Sequence, residues 1–179
     1  MKTPWIHLIG TENYYKLLNG GKVICVDFDN TVCLDEWPYV GPLIEDAIKV
    51  LKELIRNGHM LILYTQRSAN YPICCEELKK YSIKEYGMDL GSVDILTPAM
   101  KILIENGVSL WSINQNALWE NTTNDYSRKV FADYFIDDHN VGMKYKIITN
   151  KFGEDCKVCD WQFIDEWFVN EGLYKNKVL

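Results

Sequence analysis

The chain has 179 residues, 47% of them hydrophobic, which suits one domain with a full core and leaves two cramped. A net charge of −6 with no visible basic cluster argues against a broad nucleic-acid footprint, and no run approaches the roughly 20 apolar residues of a membrane span. The N-terminal stretch MKTPWIHLIGTENYY lacks the apolar centre and cleavage site of a secretory signal. A cytoplasmic protein is therefore expected, and Cys25, Cys33, Cys74, Cys75, Cys156 and Cys159 read as reduced thiols rather than a disulfide framework.

Taken in order, Thr11 to Leu18 suggests a short helix stopped by Gly20-Gly21. Lys22 to Phe28 is the first strong strand, and Asn30 to Gly41 reads as loop, punctuated by Pro38 and Gly41-Pro42. Ile44, Ala47, Ile48, Leu51, Leu54 and Ile55 follow helical spacing up to Asn57-Gly58. Met60 to Tyr64 is a second buried strand, and Ile73 to Tyr86 is predicted helical. Thr97 suits an N-cap ahead of Pro98, with Gly107 as terminator. A strand is predicted over Val108 to Ile113, another within Val130 to Ile136 and one near Tyr145 to Ile148, with a loop over Asn114 to Tyr126. Asp160 is placed to cap a last helix carrying Trp161, Ile164, Trp167 and Phe168 on one face. Alternating strands and helices imply an α/β fold with a mainly parallel sheet, in which ligands bind beyond the carboxyl ends of the strands.

Those ends carry the chemistry. The first strand delivers Asp27, Asp29 and Thr31 from ICVDFDNTV. The second, LILYTQR, delivers Thr65, and SRKVFADYFIDD carries Lys129, Asp137 and Asp138. Asp27 and Asp29 share a face because side chains alternate along a strand. Clustered carboxylates repel unless a cation intervenes, and an all-oxygen donor set suits Mg²⁺. With Lys129 nearby, such a site could receive a phosphate. An Asp nucleophile can form an aspartyl-phosphate, while a second carboxylic acid protonates the leaving oxygen and then activates water.

The order DFDNT, a strand ending in Thr, a Lys, then a strand ending in DD resembles the haloacid dehalogenase (HAD) superfamily of phosphohydrolases, over Asp27 to Asp138. The longer stretches DEWPYVGP, LILYTQR, INQN and RKVFADYFIDDHNVG look like a small bacterial and phage branch of it, and the Lys129 to Asp137 spacing resembles the 5'(3')-deoxyribonucleotidases. The resemblance implies a HAD-like Rossmannoid three-layer α/β/α sandwich. It implies Asp27 as nucleophile and Mg²⁺ ligand, and Asp29 as general acid/base with its backbone carbonyl on the metal. Thr65 would hydrogen-bond the phosphoryl group, Lys129 would neutralise charge, and Asp137 or Asp138 would complete the metal site. Asn30, Thr31, Gln66 and Arg67, which adjoin these positions, are the candidate substrate contacts. Asn30 stands where the family more often has Gly, a change that left-handed backbone angles tolerate. There is room between Thr31 and Ile44 only for a short flap, so one capless or nearly capless domain over 1–179 is expected, with a small lid near 71–92.

Several features have plainer readings. Cys156 and Cys159 have the spacing of half a zinc site, but a matching second pair is missing, so ordinary thiols are favoured. Arg67 either binds phosphate or anchors its loop. Asn114 and Asn116 either contact substrate or form a turn, and His139 faces either the site or solvent. Trp37 and Tyr39 suit flap packing better than stacking on a base or sugar. The leading expectation is a Mg²⁺-dependent phosphatase on a small phosphomonoester, a nucleotide being one candidate. A polynucleotide end-processing phosphatase and a non-catalytic HAD-fold binding protein are the alternatives. A receiver domain uses similar residues in a different order.

Overall fold

Val23–Val26 is buried at every residue and forms strand β1, the axis of the structure. The computed structural model describes residues 12–116, 120 and 129–174, excepting the side chains of Asn13 and Tyr14. In chain order the elements are α1 (Glu12–Leu18), β1, β2 (Cys33–Glu36), β3 (Tyr39–Leu43), α2 (Ala47–Arg56), β4 (Met60–Leu63) and β5 (Tyr71–Pro72). There follow α3 (Glu76–Tyr86), β6 (Ser92–Val93), α4 (Thr97–Glu105), β7 (Ser112–Ile113), β8 (Tyr134–Ile136), β9 (Tyr145–Thr149), β10 (Asp155–Cys159) and α5 (Trp161–Asn170).

Four strands form one parallel sheet in the order β7-β4-β1-β8. Strand alternation sends Ile24 and Val26 to one face and Val23 and Cys25 to the other. The first face packs against Val50, Leu51 and Leu54 of α2, Ala99 and Leu103 of α4, and Trp161, Ile164 and Phe168 of α5. The second packs against Leu17 of α1 together with Val130, Tyr64 and Trp111. Burial on both faces explains why β1 and β4 are continuous apolar runs rather than alternating ones. The result is an α/β structure with a four-stranded parallel sheet flanked by helices, a Rossmann-like arrangement. Among the described residues, no helix is long and apolar enough to cross a membrane.

Three expectations change here. The segment read as loop from Asn30 to Gly41 contains most of an antiparallel hairpin, β2–β3. Pro38 stands in its turn and Gly41 inside β3: a Cβ at Gly41 would run into the Leu34 carbonyl, so the strands close only over glycine. The helix at Thr97 is not capped by Thr97. Asp94 Oδ1 accepts from the Leu96 and Thr97 amides at 3.0 and 2.8 Å instead. The strand predicted over Val108 to Ile113 shortens to Ser112–Ile113. Most of the predicted Asn114 to Tyr126 loop lies outside the described residues. Asp160 does cap α5, accepting from the Gln162 and Phe163 amides.

Residues 71–95 form a small unit, β5–α3–β6, with its own cluster of Leu78, Tyr81, Val93 and Ile95. The hairpin leans on it: Tyr39 meets Tyr81 edge-on at 5.1 Å, and Trp37 meets Tyr71 at 5.8 Å. The flap aromatics thus pack on this unit rather than on the main core.

Candidate functional site

Because the four sheet strands run the same way, their carboxyl ends open on one edge. The residue after β1 is Asp27, after β4 comes Tyr64-Thr65, after β7 Asn114, and after β8 Asp137. All of them line one cavity of about 600 Å³, together with Asp29, Asn30, Gln66, Asp138 and His139. Trp37 and Tyr71 form part of its wall.

Asp27 is positioned by the sheet and by one hydroxyl. Its amide donates to the Ile136 carbonyl at 2.9 Å, continuing the β1–β8 ladder, and Thr31 Oγ1 donates to its Oδ2 at 3.3 Å. Asn30 makes the turn beyond with φ 54, the left-handed region Asn tolerates, and its Oδ1 accepts from the Asp35 amide. Burial pushes the Asp27 carboxyl up to about 7, with the charges of Asp137, Asp29 and Asp138 adding to the effect. Asp138 is also raised, mainly by burial, although its contact with His139 opposes this. His139 Nδ1 lies 2.8 Å from Asp138 Oδ1, and that hydrogen bond and charge raise the exposed imidazole's pKa.

Two candidate substrate contacts have other work. Thr31 is fully buried: its hydroxyl accepts from the Asp138 amide at 3.1 Å as well as donating to Asp27, and its carbonyl accepts from Trp161 Nε1 at 2.6 Å. It ties the end of β1 to the end of β8 and has no surface for substrate. Arg67 is 2% exposed although it borders the cavity. Nε and Nη2 donate to Asp29 Oδ2 and Oδ1 at 2.9 and 2.6 Å. Nη1 and Nη2 also reach the carbonyls of Pro38, Ile95 and Tyr39. Of its two readings the anchor is the one the geometry supports. Thr65 and Gln66 line the cavity, with the Thr65 hydroxyl accepting from the Arg67 amide at 3.2 Å. Lys129 is exposed and is not among the described residues that line the cavity.

Asp35, Tyr64 and Tyr71 line the cavity without having been singled out from sequence. Tyr64 precedes Thr65 directly and was legible as a strand-end residue. Asp35 was hidden by the loop reading of the hairpin. Asn114 and Asn116 hold backbone: Asn114 pairs with both Thr65 backbone groups, and Asn116 Oδ1 accepts from the Phe131 amide.

The donor set is oxygen-rich. One ligand atom each from Asp137, Asp138 and His139 lies within 4.8 Å of the others, and Asp27 and Asp29 border the same cavity. Both side-chain oxygens of Asp29 are already engaged by Arg67, which leaves Asp27, Asp137 and Asp138 as the carboxylates available to a cation. That set fits a hard divalent ion. Cys156 and Cys159 are free thiols, Cys159 being buried in the main core.

Fold and cavity together define an α/β protein with an acidic site at the carboxyl edge of a parallel sheet. No protein-family model matches the chain, and no curated protein matches it. Among solved structures it is similar to a conserved protein coded by a locus of Bacteroides thetaiotaomicron, at 25% identity and a TM-score of 0.57, over 88% of this chain and 99% of that one. The likeness extends the α/β arrangement over most of the chain.

Proposed function

We propose that the chain is a Mg²⁺-dependent phosphohydrolase of the HAD type, hydrolysing a phosphomonoester through an aspartyl-phosphate on Asp27. The observation that carries the reading is the convergence of Asp27, Thr65, Asp137 and Asp138, from three different strand ends, on one cavity. A carboxyl buried among like charges is raised to about 7, and such a cluster is tolerable only with protons or a cation present. Asp27, Asp137 and Asp138 would hold Mg²⁺, which would neutralise charge on the carboxylates and on a phosphate.

In this reading Asp27 Oδ attacks phosphorus, a P–O bond to the leaving group breaks, and Asp29, protonated on a lone pair that the two Arg67 hydrogen bonds leave over, gives that proton to the departing oxygen. Asp29 then takes a proton from the water that cleaves the acyl phosphate. Arg67 orients Asp29 with two hydrogen bonds, and Thr65 has a hydroxyl hydrogen left to donate to a phosphoryl oxygen. Trp37 and Tyr71, at the cavity wall, offer apolar surface to the leaving group, and a nucleoside is one group of suitable shape.

A panel of phosphomonoesters assayed with Mg²⁺, with Asp27→Asn as blank, tests the reading. Turnover by the wild type, lost in a folded Asp27→Asn variant and on adding EDTA, is the expected result. Equal turnover in that variant would sink the mechanism.

A further inference from the structure

Asn114 and Asn116 stand in the turn after β7, and each grips the backbone of a different segment of the site. Asn114 Oδ1 accepts from the Thr65 amide at 2.7 Å, and its Nδ2 donates to the Thr65 carbonyl at 2.7 Å. This is the pair of bonds that a neighbouring strand would make. The last β4–β7 pair is Leu63 with Ile113, so the Asn114 side chain carries the ladder past the point where the strands stop. Asn114 holds a positive φ of 53, its amide donates to the Leu63 carbonyl, and Ser112 Oγ closes the turn on the Gln115 carbonyl at 2.6 Å. Asn116 is buried. Its Oδ1 accepts from the Phe131 amide at 2.5 Å, and its Nδ2 donates to the Lys129 carbonyl at 3.3 Å and to Glu120 Oε1 at 2.8 Å.

We infer that this turn is a positioning element: Asn114 sets Thr65 for an anionic group in the cavity, and Asn116 fixes the turn by holding the Lys129 carbonyl and the Phe131 amide. The inference rests on the proposal that Thr65 donates to a phosphoryl oxygen. Neither asparagine is a catalytic residue; both act through main chain. An amide is the side chain for this task because it presents one donor and one acceptor side by side, as a peptide does. Asn114 is exposed, so its removal leaves Thr65 to water rather than creating an orphaned buried group. Its loss should thus shift position more than stability.

The test uses Asn114→Ala and the near-isosteric Asn116→Leu, which keeps the buried volume but removes the acceptor. Two readouts are taken: site-resolved amide hydrogen exchange, and Mg²⁺-dependent turnover of p-nitrophenyl phosphate. Asn114→Ala should speed exchange at Thr65 by about tenfold or more while Ile62 in β4 is unchanged, and Asn116→Leu, which has no acceptor, should do the same at Phe131. Turnover should fall about tenfold to a hundredfold in kcat, the scale of a small misplacement. Asn114→Ala combined with Thr65→Val should be no slower than Thr65→Val alone, since both act on one hydroxyl. Additive losses, or unchanged exchange at Thr65 and Phe131, overturn the inference. Absence of turnover in the wild type removes the phosphohydrolase reading instead, and the exchange rates still decide whether the asparagines hold these segments.

Discussion

Arg67 and Asp29 form a two-pronged ion pair, with Nε to Oδ2 at 2.9 Å and Nη2 to Oδ1 at 2.6 Å. The guanidinium is buried over the Phe28 ring, 5.3 Å from its centroid, and its remaining hydrogens serve carbonyls of the hairpin and of Ile95. One residue therefore joins the acid/base candidate, the flap and the β5–α3–β6 unit. Arg67→Met leaves three buried carbonyls and a largely covered carboxylate without their donor. The expected loss is about 3 kcal/mol, the lower end for a broken buried pair because Asp29 keeps some contact with water. Urea unfolding measures it, and a loss below about 1 kcal/mol would contradict the anchoring role.

The cap of α4 gives a second test. Asp94 accepts from two amides at the helix start, whereas Thr97 makes no cap hydrogen bond. Asp94→Ala should cost about 1 kcal/mol and Thr97→Ala a few tenths at most. Equal costs in chemical denaturation would return the capping role to Thr97.

That cap shows what kind of information the sequence carried. Burial and the alternation of strands with helices were legible, because Val23–Val26 and Met60–Leu63 are apolar at every position and polar residues follow, Asp27 after the first and Thr65 after the second. The carboxylates and Thr65 were legible for the same reason, as polar groups at the ends of buried runs. Side-chain partners were not. Arg67 finds Asp29, and Asn114 finds Thr65, only once β1, β4 and β7 are side by side. The hairpin was missed because Gly41-Pro42, inside β3, is a local turn signal, and the contacts that override it, Tyr39 on Tyr81 and Trp37 on Tyr71, lie far along the chain, whereas Pro38 does mark the turn. Thr31 looked like a site residue from its position, but the α5 residue Trp161 closes over it.

Alkaline pH gives a third prediction. Burial raises the thiols of Cys25, Cys33 and Cys159 up to about 12, from an ordinary 9.0. Above pH 9 the unfolded chain releases these protons and the folded chain keeps them, so stability falls as pH rises. At pH 10 the loss is on the order of 1 kcal/mol for each thiol. Replacing Cys25 with Ala or Ser should flatten the slope between pH 9 and pH 10.5 in denaturant titrations, whatever its effect at pH 7. Cys74 is exposed and should alkylate first, ahead of these three.

Metal stabilisation is the fourth prediction, and it needs no assay of turnover. Asp27, Asp137 and Asp138 repel one another across the cavity, and without a cation that repulsion works against folding. Removing one carboxylate, as in Asp137→Asn, should leave the metal-free protein as stable as the wild type or more so. Adding Mg²⁺ should reverse the ranking, because an ion bound to the folded state alone stabilises it by about 2.7 kcal/mol at a hundredfold excess over its Kd. The wild type should gain in urea midpoint with Mg²⁺, Asp137→Asn and Asp138→Asn should gain much less, and Glu105→Gln, on the exposed end of α4, should gain as the wild type does. A uniform gain in all four proteins would mean that the ion acts elsewhere or through ionic strength. The crossover, with the variants ahead in EDTA and behind in Mg²⁺, is the pattern that only a shared cation among these carboxylates produces.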